Sequence, residues 1–409
     1  MKVATIHVPG SKSLTQRALV AAALAQGNSL IANALIAEDT MYLADALRLL
    51  GAQILNDGSD FLISGTAGNI GNSGKEIFLG NNGTALRFLT ALVALGHGQY
   101  VLTGEQRLCE RPVGALVGAL QSMKIDISCR DNCPPVTVRA SGMNGGTVIL
   151  KNSESSQFVS ALLMSAPYAA QDTDIILRGA SVSRPYIDLT VSVMHDFGAK
   201  IIERGKRRYH VSAGEMYQGR KYSVEADVSS ASYFFLAAAL LKRPMRVEGI
   251  LSTSRQGDLR FLKIMEELGC RIHYGSKWLE VSCTEPAAGD FVFDLNEMPD
   301  MVPTLAVMAA FRRGKTVIRN VAHLRLKESN RIRVLVCELA KIGITVQETA
   351  DGLIITGGKP LPAKIETYND HRIAMSFAVA GRAVPGIEVS DKKCVNKSFP
   401  GFWKELAKI

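Results

Sequence analysis

A phrase that recurs at a regular interval constrains a chain more than any local propensity, because each copy must be a supersecondary unit packed against its neighbours. In this sequence the phrase is a helix that ends near Gly and runs into a β-hairpin. It reads LRLLGAQI at Gly51, LQSMKIDI at Lys124, MHDFGAKI at Gly198, MEELGCRI at Gly269 and ELAKIGITV at Gly343, a period of roughly 70 residues. Between the copies lies a second phrase: a strand, a short polar loop, an Ala-rich helix, and a strand ending near Gly or Asn. Its copies begin IHVPGSKS at Ile6, IFLGNNGT at Ile77, VILKNSESSQ at Val148, VEADVSSAS at Val224, FDLNEMPDM at Phe293 and IETYNDHR at Ile365. Six α/β units are therefore expected. The sixth breaks off at FPGFWKELAKI, partway into its hairpin-bearing half.

A chain of 409 residues, 47% of them hydrophobic, is long enough that one core normally splits in two. Two sets of three units would divide near Glu225–Asp227, giving an N-terminal domain over 10–225 and a C-terminal domain over 226–409 joined by residues 1–9. The second helix of each unit is entered through polar or basic residues, as in LIAEDT, RLCERP, SVSRPY, STSRQGD, RLKESNR and NKSFPG. Such helix starts expose backbone N–H groups and the positive end of the helix dipole, so they suit anions. For any one Ser, Asp or Asn among them, simple N-capping is an equally good reading. Basic residues at equivalent corners of six repeats are harder to explain by capping alone, and converging helix starts would make one anion-binding cleft between the two sets.

Seven cysteines without a CxxC pair form no complete intrachain disulfide set and point to a reducing compartment. Lys12 to Ala25 has the outline of a signal peptide, yet it is short, weakly apolar, preceded by a Pro-Gly turn and similar to interior blocks. No stretch approaches the roughly 20 apolar residues of a membrane span, so a soluble, cytoplasmic protein without a membrane partner is expected. The net charge of +9 is dispersed, with no aromatic-studded basic run of the kind that marks a nucleic-acid surface. Small polyanionic substrates account for it equally well.

GSKS at Gly10–Ser13 suggests a phosphate-binding P-loop, but that motif requires Gly where Ile6 and Ser11 stand. Gly83, in LGNNGTALR, allows backbone amides to approach a ligand closely, although a turn glycine is the commoner case. Taken in order, GSKSLTQRA (10–18), LGNNGTALR (79–87), ERP (110–112), SSQF (155–158), SRPYID (183–188), MPD (298–300), LKESNR (326–331), NDHR (369–372) and KSFP (397–400) resemble the EPSP synthases, a family of enolpyruvyl transferases, from end to end. SSQF and DVSSASYFF resemble the glyphosate-sensitive class.

The resemblance implies a two-domain inside-out α/β barrel of six βαβαββ repeats, three per domain, with the active site in the cleft between the domains. It implies transfer of the enolpyruvyl group of phosphoenolpyruvate to shikimate 3-phosphate by a monomer that needs neither cofactor nor metal. Carried over by motif, Lys12, Ser13, Arg17, Ser155, Ser156, Gln157, Ser183, Tyr186 and His323 would hold shikimate 3-phosphate, with Asp300 and Lys327 near its reacting hydroxyl. Lys12, Asn81, Gly83, Arg111, Gln157, Arg331, Arg372 and Lys397 would hold phosphoenolpyruvate. Glu328 would join Asp300 and Lys327 in handling protons. Two positions depart from the pattern: His323 stands where many members have Asn, and Phe88 where many have Pro.

The chemistry suits this composition. The two substrates together carry about six negative charges near neutral pH, and seven of the Lys and Arg residues just named can replace their solvent, Arg by planar bidentate contacts. No His, Cys and Asp residues cluster at metal-ligand spacing. Proton delivery to the methylene carbon, attack by the 5-hydroxyl and expulsion of phosphate all require acid-base groups. A carboxylate beside cations has its pKa lowered and a desolvated one has it raised, so the sequence leaves open whether Asp300 or Glu328 is acid or base. Asp300 could also only cap the helix that follows, and His371 could be either a buried hydrogen-bonded histidine or catalytic.

Two other classes fit the sequence less well. The sister transferase acting on UDP-N-acetylglucosamine uses a loop cysteine about five residues before the equivalent Arg and a Lys-Asn start, whereas Cys109 lies two before Arg111 and Lys12-Ser13 replaces the start. A nucleic-acid protein related to the RNA-phosphate cyclases would share the repeats but has no use for the proton-handling trio or the paired serines.

Overall fold

A computed structural model describes residues 3–153, 155–181 and 183–409. The chain falls into two compact units, Lys12–Val224 and Met1–Ser11 with Glu225–Ile409.

Among the described residues the first unit holds three four-stranded sheets with one plan. Lys221–Ser223 lies parallel to Asn28–Ala32, which is followed across the sheet by antiparallel Asp60–Ser64 and Gln53–Asp57. Ile77–Phe78, His97–Thr103, Cys133–Ser141 and Asp126–Arg130 repeat that order, as do Gly146–Ser153, Thr173–Ser181, Arg208–Val211 and Ile201–Glu203. Two sheets of the second unit follow the same plan, Ala4–His7 with Met245–Glu248, Trp278–Ser282 and Arg271–Tyr274, and Phe291–Asp294 with Lys315–Arg319, Leu353–Thr356 and Thr345–Glu348. The last sheet is the parallel pair Ala363–Ile365 and Ile387–Val389 alone. A parallel pair needs a crossover, and a helix supplies it.

The crossover helices are the Ala-rich ones. Lys12–Leu24, the stretch that resembles a signal peptide, is buried from Leu14 onward, and Val228–Leu241 is buried from Val228 to Ala239. Helices apolar all round belong in a core, and small side chains let them pack closely. In the second unit Val228–Leu241, Val302–Ala310 and His371–Ala383 pack against one another; in the first, Gly83–Leu92 packs on Ser156–Ser165 and Lys12–Leu24 on Arg184–Asp196.

The five helix-to-hairpin phrases share a backbone cause. Gly51, Gly198, Gly269 and Gly343 have φ of 105°, 96°, 87° and 80°, and Lys124 takes the same left-handed place at 64°. Glycine is favoured there because it has no Cβ to clash with the following carbonyl.

Two pairings depart from the order of the phrases. Ala4–His7 leads into Lys12–Leu24 but pairs with Met245–Glu248, and Lys221–Ser223 leads toward Val228–Leu241 but pairs with Asn28–Ala32. Beside the exchange, Ser11 N donates to Glu225 O at 2.8 Å and Asp227 N to Pro9 O at 2.8 Å. Among the described residues no helix is long and apolar enough to cross a membrane.

Candidate active site

In the Lys12–Val224 unit the predicted residues sit at helix starts. Lys12 opens its helix, and its Nζ is 3.0 Å from the buried Asp39 carboxylate. Arg17, one turn on, is buried; Nη1 donates to Ser13 O at 2.9 Å, Nη2 to Tyr186 O at 3.0 Å and Nε to Thr190 Oγ1 at 2.7 Å. Burial lowers this guanidinium to about 10. It also lies 5.3 Å from the ring centre of Phe88, which gives that departure from the family pattern a packing role inside a regular helix, Gly83–Leu92.

Gly83 begins that helix behind Asn82, whose side chain caps Ala85 N at 2.9 Å and donates to Gln16 Oε1 and Asp39 O at 3.0 and 2.6 Å. A Cβ at Gly83 would collide with Arg87 Nη1 and lie 2.5 Å from Arg111 Nη2. Two buried guanidinium groups therefore crowd this glycine, and Arg111 Nη1 reaches the carbonyl and side-chain oxygens of Asn81, each at 3.4 Å. Ser155 caps Gln157 N at 3.2 Å, Ser156 is buried behind it, and Gln157 Nε2 donates to Thr84 Oγ1 at 2.9 Å. Ser183, with φ 56° and ψ 49°, is the N-cap residue of Arg184–Asp196, which carries Tyr186.

In the Glu225–Ile409 unit Asp300, Glu328, Arg331 and Arg372 meet in one charged network. Arg331, 1% exposed, donates from Nη1 to Asp300 Oδ1 at 3.0 Å, from Nη2 to Glu328 Oε2 at 2.7 Å and from Nε to Asp370 Oδ2 at 2.8 Å. Arg372 Nη2 donates to the other Asp300 oxygen at 2.6 Å, and its Nη1 to the Tyr233 hydroxyl at 3.4 Å. Burial alone would raise the Asp300 carboxyl, but Arg372, Arg331 and Lys327 outweigh it and hold the group well below the ordinary carboxylate range. Asp300 lies in a short 3-10 turn, Pro299–Met301, and makes no cap to Val302–Ala310; its oxygens go to the two arginines instead. His323 is lowered to about 4 by burial and by Lys327, and its buried Nε2 has no hydrogen-bond partner among the described residues. Lys397 is buried in the turn Lys393–Lys397, and His371 is buried as the first residue of His371–Ala383.

The residue that sequence reasoning missed is Asp370. It is fully buried and accepts from Arg331 Nε and Nη2, Ser329 Oγ and Arg372 N. In the sequence it stands inside NDHR and just before a helix, where an Asp reads as an N-cap; it does cap, and it also grips Arg331. Among the described residues no group of three His, Cys, Asp or Glu is arranged to hold a metal ion. Chemically, the network pairs an ionised carboxylate, aimed between two guanidinium groups, with a lysine and a second carboxylate beside it. That arrangement suits proton transfer next to bound anions.

Residues 3–406 match the model of the family described as EPSP synthase (3-phosphoshikimate 1-carboxyvinyltransferase). A 3-phosphoshikimate 1-carboxyvinyltransferase of Trichormus variabilis is 44% identical over 410 residues, 99% of this chain and 96% of its own. One from Escherichia coli is 41% identical over 412 residues, again 99% and 96%. The solved EPSP synthase of Acinetobacter baumannii superposes with a TM-score of 0.80 at 26% identity, covering 99% of this chain and 95% of that one. Whole-length matches of this kind mean that this chain belongs to the EPSP synthase family.

Proposed function

We propose that this chain transfers the enolpyruvyl group of phosphoenolpyruvate to the 5-hydroxyl of shikimate 3-phosphate, releasing phosphate and 5-enolpyruvylshikimate 3-phosphate. The observation that carries the proposal beyond family membership is Asp300, an ionised carboxylate held 3.0 Å from Arg331 and 2.6 Å from Arg372. A proton goes to the methylene carbon of phosphoenolpyruvate while the 5-hydroxyl attacks its central carbon and gives up its own proton. The tetrahedral adduct then loses a methyl proton as the carbon–oxygen bond to phosphate breaks, and the double bond is restored.

In this reading Asp300 is the base. A carboxylate kept ionised accepts a proton more readily than it supplies one at neutral pH, and Lys327 and Glu328 serve the remaining transfers. Lys12, Ser13, Arg17, Ser155, Ser156, Gln157, Ser183, Tyr186 and His323 hold shikimate 3-phosphate. Lys12, Asn81, Gly83, Arg111, Gln157, Arg331, Arg372 and Lys397 serve phosphoenolpyruvate. Arg372 spends one nitrogen on Asp300 at rest, so an arriving anion competes with that carboxylate and loosens it.

The same reading makes each four-stranded sheet with its helices a βαβαββ repeat and the two-stranded sheet a sixth repeat that stops before its hairpin, three per domain over 10–225 and over 226–409 with 1–9, in an inside-out α/β barrel. The repeated parallel-then-hairpin strand order supports it. A cytoplasmic monomer is part of the proposal. The test is phosphate release from phosphoenolpyruvate by the purified chain, expected only when shikimate 3-phosphate is present, with a product heavier by the enolpyruvyl group in mass spectrometry. Release without the acceptor, or only with UDP-N-acetylglucosamine, would overturn it.

A further inference from the structure

Helix Val228–Leu241 is buried and mostly apolar, yet it carries a polar stripe at i, i+3 and i+4, positions that share one face. Ser229 Oγ donates to Asp258, Ser232 Oγ pairs with Thr304 Oγ1 at 3.0 Å, and the Tyr233 hydroxyl accepts from Arg372 Nη1 at 3.4 Å. Thr304 belongs to the helix that follows Asp300, and Arg372 holds Asp300. One helix face thus joins Asp258, at one end, to the guanidinium and carboxylate of the proposed active site.

The loop that brings Asp258 clasps the start of the same helix. Gln256 Oε1 accepts from Val228 N at 3.2 Å, and its Nε2 donates to Ala226 O at 2.9 Å and Glu225 Oε2 at 3.2 Å. Ser230 Oγ donates to Asp227 at 2.7 Å. Asp258 is 4% exposed and closes this clasp, while the proposed reaction gives it no part.

We propose that Asp258 is a positioning residue for phosphoenolpyruvate binding: as a neutral acid it fixes the helix start and leaves the charge of Arg372 to the substrate, and as an anion it opposes the substrate. This rests on the reading of Arg372 and Asp300 as active-site groups. Burial raises the Asp258 carboxyl to about 7, with Asp300 and Asp227 adding to the rise while the Ser229 hydrogen bond and Arg372 work against it. The charged groups among these come from the turn Pro299–Met301, the cap of Val228–Leu241 and helix His371–Ala383. A negative charge therefore enters beside Arg372 as the pH passes through neutrality, and anion affinity falls.

The experiment measures KM and kcat for phosphoenolpyruvate between about pH 6 and 8.5 at saturating shikimate 3-phosphate, for the wild-type chain, Asp258→Asn and Ser229→Ala. Asn keeps an oxygen for Ser229 and cannot ionise. The wild-type KM is expected to climb with pH several-fold to about tenfold more than that of Asp258→Asn, with kcat within about twofold. Substrate ionisation is common to all three and cancels in the comparison. Ser229→Ala removes the hydrogen bond that favours the anion, so its KM rise should begin at higher pH; this arm also stands in if Asp258→Asn does not fold. A merely structural role would lower thermal stability and leave the KM curves parallel. Parallel curves, or an unmoved rise in Ser229→Ala, overturn the proposal. Absence of enolpyruvyl transfer by the wild-type chain overturns the functional reading, and this proposal with it.

Discussion

Replacing Asp370 with asparagine keeps the side chain's shape and removes its charge, at a fully buried position with four donors directed at it. Arg331 Nε at 2.8 Å and Ser329 Oγ at 3.0 Å donate to Oδ2, and Arg331 Nη2 at 3.3 Å and Arg372 N at 3.0 Å donate to Oδ1. Asparagine offers one oxygen and turns its second group into a donor facing donors. If the oxygen stays on Arg372 N, the cap survives, and Arg331 Nε and Ser329 meet an NH2. Breaking one arm of a buried ion pair costs about 3–5 kcal/mol. Arg331 retains Asp300 and Glu328, which places the expected cost near the lower end, about 3 kcal/mol. For a unit of this size that corresponds to a fall in Tm of roughly 6–12 °C. Differential scanning calorimetry at pH 7 on the full chain reads it, with Ser329→Ala as a control that removes one neutral donor and should cost about 1 kcal/mol. A fall of less than about 2 °C, with normal KM for phosphoenolpyruvate, would refute the argument that Asp370 balances the Arg331 charge.

Asp300→Asn should bind shikimate 3-phosphate as the wild type does, by calorimetry, while turnover falls by about a thousandfold or more; near-normal turnover would remove Asp300 from the mechanism. The folded state holds Asp300 below its unfolded carboxyl value, so its contribution to stability is present above about pH 4 and is lost as the pH falls through the folded value. Acid unfolding of Asp300→Asn should accordingly be less steep. At Gly83, a methyl group must displace the Arg87 and Arg111 guanidinium tips, an overpacking worth about 1–3 kcal/mol. Gly83→Ala should raise KM for phosphoenolpyruvate and weaken glyphosate, a longer competing anion, by more; equal losses would defeat the steric account. Lys124→Gly relieves a left-handed backbone at φ 64° and should gain about 0.5–1 kcal/mol after the entropy of glycine is counted, read as a rise in urea midpoint.

The hairpin phrases were legible because one backbone requirement, a left-handed residue after each helix, recurs with its glycine, and even Lys124 kept the frame in which it stood. The exchange of Ala4–His7 for Lys221–Ser223 was only half legible. Ile6 and Val224 begin copies of the same phrase, and parallel pairing leaves no mark on the sequence that says which copy a strand will join. The cations of the site were readable as residue types at helix starts. Their partners were not, because Arg331 and Asp370 are 39 positions apart and only the packing of three helices brings them together. The crowding at Gly83 was hidden for the same reason, since Arg87 reads as an ordinary helix residue.

That gap changes how the charges are counted. From sequence, Arg331, Arg372 and Lys327 look like a standing excess of positive charge waiting for anions. In the fold they sit among Asp300, Glu328 and Asp370, three carboxylates to three cations, with every Arg331 nitrogen engaged; Lys12 is likewise paired with Asp39. A near-neutral network attracts a distant anion weakly, so affinity must come from exchange at short range, where a substrate oxygen takes the place of a protein one. Arg372 is the group placed for that exchange, because the carboxylate it holds at 2.6 Å is also the proposed base. Substrate binding and activation of Asp300 then become one event: the anion that takes the Arg372 nitrogen removes the strongest influence keeping the carboxylate's proton affinity low, and the base gains strength only when there is something to deprotonate.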